Sequence, residues 1–74
     1  MSTDRRFDHS FESIRDRVLT RGSRMEIEAH ITGMRELDRV HSWTRFEERN
    51  QARSWVLALL GQQAGTIRRT EVRR

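Results

Sequence analysis

Three arginines recur at every fourth position in the second half of the chain: Arg45, Arg49 and Arg53. On a single helix this spacing places their guanidinium groups along one side, about 6 Å apart at each step. That separation is close to the phosphate spacing along one nucleic-acid strand, and guanidinium forks bind phosphate oxygens in pairs. The row therefore predicts contacts with a polyanion backbone. Asn50 and Gln51 point in other directions, so base readout is less well supported.

The same helix carries its apolar side next to these arginines. With Phe46 as the reference, Leu57 lies on the apolar side, and the arginine row continues that side toward the N-terminus. Three explanations stay open. In the first, the aliphatic parts of the arginine side chains lie on apolar surface and the guanidinium groups reach water. In the second, an acidic partner covers the arginines. In the third, carboxylates of the same protein form ion pairs with them. The first helix offers such carboxylates at the same four-residue spacing: Asp8, Glu12 and Asp16.

The C-terminal segment adds more positive charge. From residue 65 onward the sequence has no helical apolar stripe, and we interpret residues 65–74 as a flexible basic tail that adds non-specific affinity for nucleic acid. Its four arginines are Arg68, Arg69, Arg73 and Arg74. The chain contains no lysine, which a GC-rich genome explains as well as a requirement for guanidinium groups does.

Other chemistry is poorly represented. The absence of cysteine excludes disulfides, thiolate metal sites and cysteine nucleophiles. Glu26 and His30, like Asp38 and His41, have spacings that suit a metal ion, but no third ligand with convincing spacing appears. Histidines at the edge of a core are the simpler interpretation. We therefore predict no enzymatic activity, no metal and no cofactor.

The hydrophobic periodicity predicts an all-α fold with three helices. The first helix covers about residues 4–21 and stops at Gly22. The second helix begins at a capping box formed by Ser23 and Glu26. The apolar positions are Phe7, Phe11, Ile14 and Val18 in the first helix and Ile27, Ile31, Met34 and Leu37 in the second.

A second capping box, Thr44 with Glu47, predicts the start of the third helix, which ends near Gly61. Trp43 precedes the cap and is expected to pack across the helix end. The helical domain then comprises residues 1–64, and the tail follows it.

An α+β alternative remains open. Met25–Ile31 alternates strictly between apolar and polar residues, as a half-buried strand does. A hairpin around residues 17–31 would result, and residues 66–72 could add a third strand. The capping box favours the helical prediction.

A helix-turn-helix with Gly33 at the turn is a further alternative. Its match is partial, because Glu28 and Arg39 fall where apolar packing is expected. In that arrangement the base-reading residues would lie near Arg35, Glu36 and Arg39.

The third helix is apolar on more than one side from Ala52 onward. In a chain of 74 residues with only 34% apolar residues, such a helix is either central or shared with a second copy. We predict a homodimer whose contact is formed by Trp55, Leu59 and Leu60.

These observations predict a small, cytoplasmic, non-catalytic regulatory protein that binds an acidic partner, nucleic acid first. The N-terminal residues show no apolar signal segment, and the longest apolar run is too short to span a bilayer. We therefore expect no membrane partner and no small-molecule substrate. The alternative is a protein–protein module, an adaptor or inhibitor that docks on a larger protein or nucleoprotein complex. A phage or plasmid origin would suit its size.

Overall fold

The computed structural model describes residues 14–72, and the regular structure in this range is helical. Residues 14–21 belong to α1, which is followed by α2 (Arg24–Thr32), α3 (Leu37–Arg49) and α4 (Ser54–Val72). No strand occurs between residues 14 and 72, so the all-α prediction is confirmed and the α+β alternative is not found there. None of the four described helices combines the length and apolar character needed to cross a membrane.

The helix boundaries differ from the predicted ones in the middle of the chain. The second predicted helix ends early, at Thr32, and residues 33–36 connect it to α3. Helix α3 then continues through the predicted start at Thr44, whose hydroxyl donates a hydrogen bond to the Val40 carbonyl one turn earlier (2.8 Å). The prediction that Thr44 and Glu47 form a capping box is therefore wrong. The described range contains four helices instead of the predicted three.

The boundary between α1 and α2 lies where the sequence predicted it. The Ser23 hydroxyl accepts a hydrogen bond from the Glu26 amide (3.1 Å), so the predicted capping box exists and starts α2. Helix α1 ends at residue 21, directly before Gly22. The amide of Gly22 donates to the Val18 carbonyl (2.9 Å). The predicted residues 4–13 of this helix lie outside the described range.

A break at residues 50–53 separates α3 from α4, where one continuous helix was predicted. Ala52 adopts a positive φ of 48°, a left-handed conformation that interrupts the helix. The Arg53 carbonyl then accepts a hydrogen bond from the Leu57 amide (3.0 Å) and opens α4. The sequence around Ala52 contains neither glycine nor proline, and Asn50, a residue type common at helix C-termini and in turns, is the one local indication of the break.

The core lies where α2 and α3 pack against α4, and α1 adds two side chains to it. Trp43 is buried within α3 rather than at a helix end, and its ring stacks on His30 (5.8 Å between centroids). The buried apolar residues are Val18, Leu19, Ile27, Ile31, Met34, Val40, Trp43, Val56, Leu60 and Ile67.

The predicted tail is helical as far as the structure describes it. Helix α4 continues through Val72, and Ile67 is only 6% exposed because it packs into the core. This burial stabilises the last turns of α4, so the flexible-tail prediction is wrong for residues 65–72. Arg73 and Arg74 lie outside the described residues.

We expect Gly61→Ala to stabilise the protein. Gly61 is an exposed residue inside α4, and a methyl group added there would meet no other atom within 4 Å. Because alanine is preferred to glycine in helix interiors, the free energy of unfolding should rise by about 0.5–1 kcal/mol in a urea titration followed by circular dichroism. Gly22→Ala is the contrasting control, since its Cβ would lie 2.5 Å from the Val18 carbonyl oxygen and should lower stability. A lower stability for Gly61→Ala would show that another surface packs on α4 at this position.

Candidate functional site

Arg53 and Glu47 form an ion pair at the connection between α3 and α4. Nε of Arg53 donates to Oε2 of Glu47 (2.8 Å), and Nη2 donates to Oε1 (3.0 Å). The backbone amide of Arg53 donates to Oε2 as well (2.9 Å). The side chain of Glu47 is 1% exposed and that of Arg53 is 23% exposed. This two-pronged arrangement is the strongest that an arginine and a carboxylate can form.

The pair identifies the partner of one arginine in the predicted row. On a continuous helix Glu47 would lie on the polar side, away from Arg53. The break at residues 50–53 redirects the chain, so Arg53 returns to a carboxylate six positions earlier. Arg53 therefore does not share a helix with Arg45 and Arg49, and the prediction of a three-membered row is wrong. The explanation by an internal carboxylate is correct for Arg53, but the carboxylate is Glu47.

The first-helix carboxylates do not supply this partner where they are described. Asp16 pairs with its neighbour Arg15, with 3.2 Å between Oδ1 and Nε. Asp8 and Glu12 lie outside the described residues.

Arg15 instead fastens α1 to α3. Its Nη1 donates to the Ser42 hydroxyl (3.0 Å), and its guanidinium carbon lies 4.8 Å from the centroid of the Phe46 ring. The hydrogen bond and the cation–π contact hold the two helices side by side.

The ion pair also determines the protonation of both groups. Burial by itself would raise the pKa of the Glu47 carboxyl, but the side-chain and backbone hydrogen bonds from Arg53, together with its charge, lower that pKa below its ordinary value. The hydrogen bonds that Arg53 donates to the Glu47 carboxylate in turn raise the pKa of Arg53. Both groups are therefore charged at neutral pH.

We expect the protein to lose stability in acid through Glu47. Since its folded pKa lies below the unfolded value of about 4.3, the stabilisation is complete above that pH and is lost as the pH falls through the folded pKa. Urea titrations at neutral pH and at progressively lower pH should show a smaller acid loss for Glu47→Gln than for the wild type. Asp16→Asn, which changes a half-exposed carboxylate far from this pair in the sequence, serves as the control. Equal losses in Glu47→Gln and the wild type would contradict this role.

Arg53 also joins the end of α1 to the same connection. The Leu19 carbonyl accepts hydrogen bonds from Nη2 of Arg53 and from Nε2 of Gln51, the latter at 3.3 Å. Carbonyl groups in the last turn of a helix have no partner within it, and positive side chains are favourable there. The ends of α1 and α3 and the beginning of α4 therefore meet at this carbonyl.

Four arginines lie on the chain segments that meet at this junction. One is Arg53, and the other three are exposed residues at the ends of α1, α2 and α3. Arg24, at the start of α2, also lies at the junction. Its guanidinium carbon is 4.8 Å from the ring centroid of Trp55, which belongs to the first turn of α4. We name this group the arginine corner: Arg21, Arg24, Arg49 and Arg53.

Carboxylates offset only part of the charge of the arginine corner. Glu47 neutralises Arg53, and Glu28 pairs with Arg24 at 3.4 Å between exposed side chains. Ion pairs between exposed side chains have a small interaction free energy, because water and salt screen the two charges. Among residues 14–72, no carboxylate lies within ion-pairing distance of Arg21 or Arg49. Within the described residues, Arg21 and Arg49 are therefore the two members of the corner without an ion-pair partner.

The remaining predicted arginines lie at different distances from the corner. Arg45 is exposed on α3, one turn before Arg49, so it borders the corner. Arg68 and Arg69 are exposed near the end of α4, roughly 24 Å along the helix axis from Arg53. The structure thus separates them from the corner.

The predicted self-association residues differ in their exposure. Leu60 is fully buried in the core of the monomer, so it offers no surface to a second copy in this fold. Trp55 and Leu59 are half-buried and pack against the core. Each of them keeps an accessible part, and contact between copies through Trp55 and Leu59 stays a prediction.

Of the predicted helix-turn-helix, the structure contains the turn at Gly33 between two helices. Residues 33–36 join α2 to α3 and contain Gly33, but both helices pack chiefly on α4. Arg35 and Arg39 are exposed, and Glu36 is the N-cap residue of α3.

Metal-binding geometry is not found in the part of the chain that the structure describes. His30 is half-buried against Trp43, while His41 is exposed. Within residues 14–72, no three His, Cys, Asp or Glu side chains come together in a way that would hold a metal ion.

Residues 16–70 match a protein family described as Domain of unknown function (DUF8129). The match covers more than half of the chain, so the protein belongs to that family. It includes the whole arginine corner and the Glu47–Arg53 pair. No curated protein and no solved structure matches the chain.

Proposed function

We propose that this family member is a small, non-catalytic binding protein that presents exposed arginines to the phosphate backbone of nucleic acid. The fold separates its arginines into two kinds, and this separation is the observation that supports the proposal. Arg53, which the core partly buries, is neutralised by Glu47, whereas the arginines around it are exposed. Because the Glu47–Arg53 pair is neutral as a whole, it leaves the net charge of +4 of the chain unchanged.

The arrangement around the corner suits a chain of phosphates. Arg45 and Arg49 lie one turn apart on α3, and Arg21 and Arg24 lie at the ends of neighbouring helices. Guanidinium groups bind phosphate oxygens through paired hydrogen bonds, and each neutralised phosphate releases counterions. In this proposal Arg68 and Arg69 contact a longer nucleic acid at a second, separate point, and the protein acts in the cytoplasm.

The test is fluorescence anisotropy with labelled duplex DNA and single-stranded RNA at about 50 and 200 mM salt. We expect binding that weakens steeply with salt. Arg45→Ala and Arg49→Ala should each weaken binding similarly for all sequences and reduce the salt slope by about one. Arg39→Ala is the matched control, because it removes the same charge from an exposed position near the beginning of α3, roughly 15 Å along the helix axis from Arg49. Absence of binding at the lower salt concentration would contradict the proposal.

The partly exposed Trp55 and Leu59 support a protein partner as the second candidate function. Aromatic residues and arginines dominate the energetics of protein interfaces. An adaptor or inhibitor would lose most of its affinity on one substitution, such as Trp55→Ala, instead of losing a similar amount at each arginine. Size-exclusion chromatography of the same variants tests whether the partner is a second copy.

A further inference from the structure

Arg24 and Trp55 form an aromatic–guanidinium pair at the surface of the arginine corner. The guanidinium carbon of Arg24 lies 4.8 Å from the centroid of the Trp55 ring, and 69% of the Arg24 side chain is exposed. The ring itself is half-buried and packs against the core, so its position is fixed. The guanidinium carbon of Arg53, held by Glu47, lies 5.6 Å from the same centroid.

Arg24 makes two contacts within the protein itself. Its Nε donates to Oε2 of Glu28, one turn later in α2 (3.4 Å), while its guanidinium rests over Trp55. Within the described residues, its two Nη nitrogens donate to no acceptor. These two contacts favour the conformation in which the guanidinium covers the ring, so less conformational freedom is lost when a ligand binds.

We infer that Arg24 and Trp55 form a stacking site for an unpaired base of a single-stranded nucleic acid. This inference rests on the proposed function and names the class of nucleic acid. Bases of single strands stack on aromatic rings and on arginine guanidinium planes, whereas bases of a duplex keep their faces within the helical stack. Arg21 and Arg49, exposed and without a carboxylate partner in the described residues, bind the flanking phosphates.

Stacking does not depend on which base is bound. Every base offers a π-face, so the site tolerates different sequences and discriminates by strandedness. The partner is therefore a single strand a few nucleotides long, bound through one stacked base and the phosphates that flank it.

The tryptophans allow a direct test. Trp43 is 3% exposed in the core, while Trp55 is half-buried under Arg24, so the two rings report on different environments. Wild-type protein is titrated with oligothymidylate and with a duplex of equal length at about 50 mM salt, a concentration at which backbone contacts are strong. We expect the single strand to quench fluorescence and to bind several-fold more tightly than the duplex. Trp43→Phe should keep the quenching, and Trp55→Phe should abolish it.

Substitution of the arginine separates stacking from charge. Arg24→Lys keeps the positive charge but loses the planar group, so affinity for the single strand should fall by about fivefold or more with an unchanged salt slope. Arg17→Lys, an exposed position on α1, is the matched control and should leave the affinity unchanged.

The outcomes are distinct. Equal affinity for duplex and single strand, without Trp55 quenching and without an effect of Arg24→Lys, would overturn the stacking site but leave the proposed polyanion binding intact. Absence of binding to both nucleic acids would remove the proposed function together with the stacking site.

Discussion

Arg53→Ala should lower the free energy of unfolding by about 3–5 kcal/mol, because it leaves the buried Glu47 carboxylate without its partner. The substitution also removes a hydrogen bond to the Leu19 carbonyl at the end of α1. For a domain of this size the loss is a large part of the total stability. A urea titration at neutral pH, followed by circular dichroism, measures it directly.

Two comparisons sharpen this prediction. Arg49→Ala removes an exposed arginine of the same corner and should change stability by no more than about 0.5 kcal/mol. The double variant Glu47→Leu/Arg53→Met replaces the pair by apolar side chains of similar size and should recover most of the lost stability. A loss below about 1 kcal/mol for Arg53→Ala would show that the Glu47 carboxylate is not confined as described.

Leu60→Ala should lower the free energy of unfolding by about 2–5 kcal/mol. Leu60 is fully buried on α4 and belongs to the core cluster to which the other helices contribute, so truncation leaves a cavity. The loss should be independent of protein concentration, because the contacts of Leu60 lie within one chain. Leu59→Ala, at a half-buried neighbouring position, should lose less. A loss that disappears at high protein concentration would instead place Leu60 at an interface between copies.

Local signals were sufficient for the fold class and for one helix start. Apolar spacing identified helices, and the Ser23–Glu26 pattern marked the beginning of α2, because a capping box is complete within four residues. The same local pattern misled at Thr44. The Thr44 hydroxyl donates a hydrogen bond to a carbonyl within α3. The helix actually starts at Leu37, where no side chain forms a capping hydrogen bond that the sequence could indicate.

The candidate site depends on contacts that no local pattern records. The sequence drew attention to Arg45 and Arg49, and the structure exposes both. The corner itself forms because Arg24 meets Trp55 and Arg53 meets Glu47 across a helix break. These pairs depend on how α2, α3 and α4 pack, so their residues could not be grouped before the fold was known.

The helix break at Ala52 has a consequence for how two chains could associate. Alanine is the strongest helix former and adopts a positive φ only at a cost of about 1–2 kcal/mol, so the local preference of this segment is to continue the helix. The Glu47–Arg53 pair opposes that preference by drawing the chain back. When Arg53→Ala removes the pair and adds no apolar contact in its place, residues 37–72 should favour one straight rod, which takes α4 away from its own α3. A second chain then supplies the missing surface, and the expected product is an exchanged dimer in which each rod completes the core of the other.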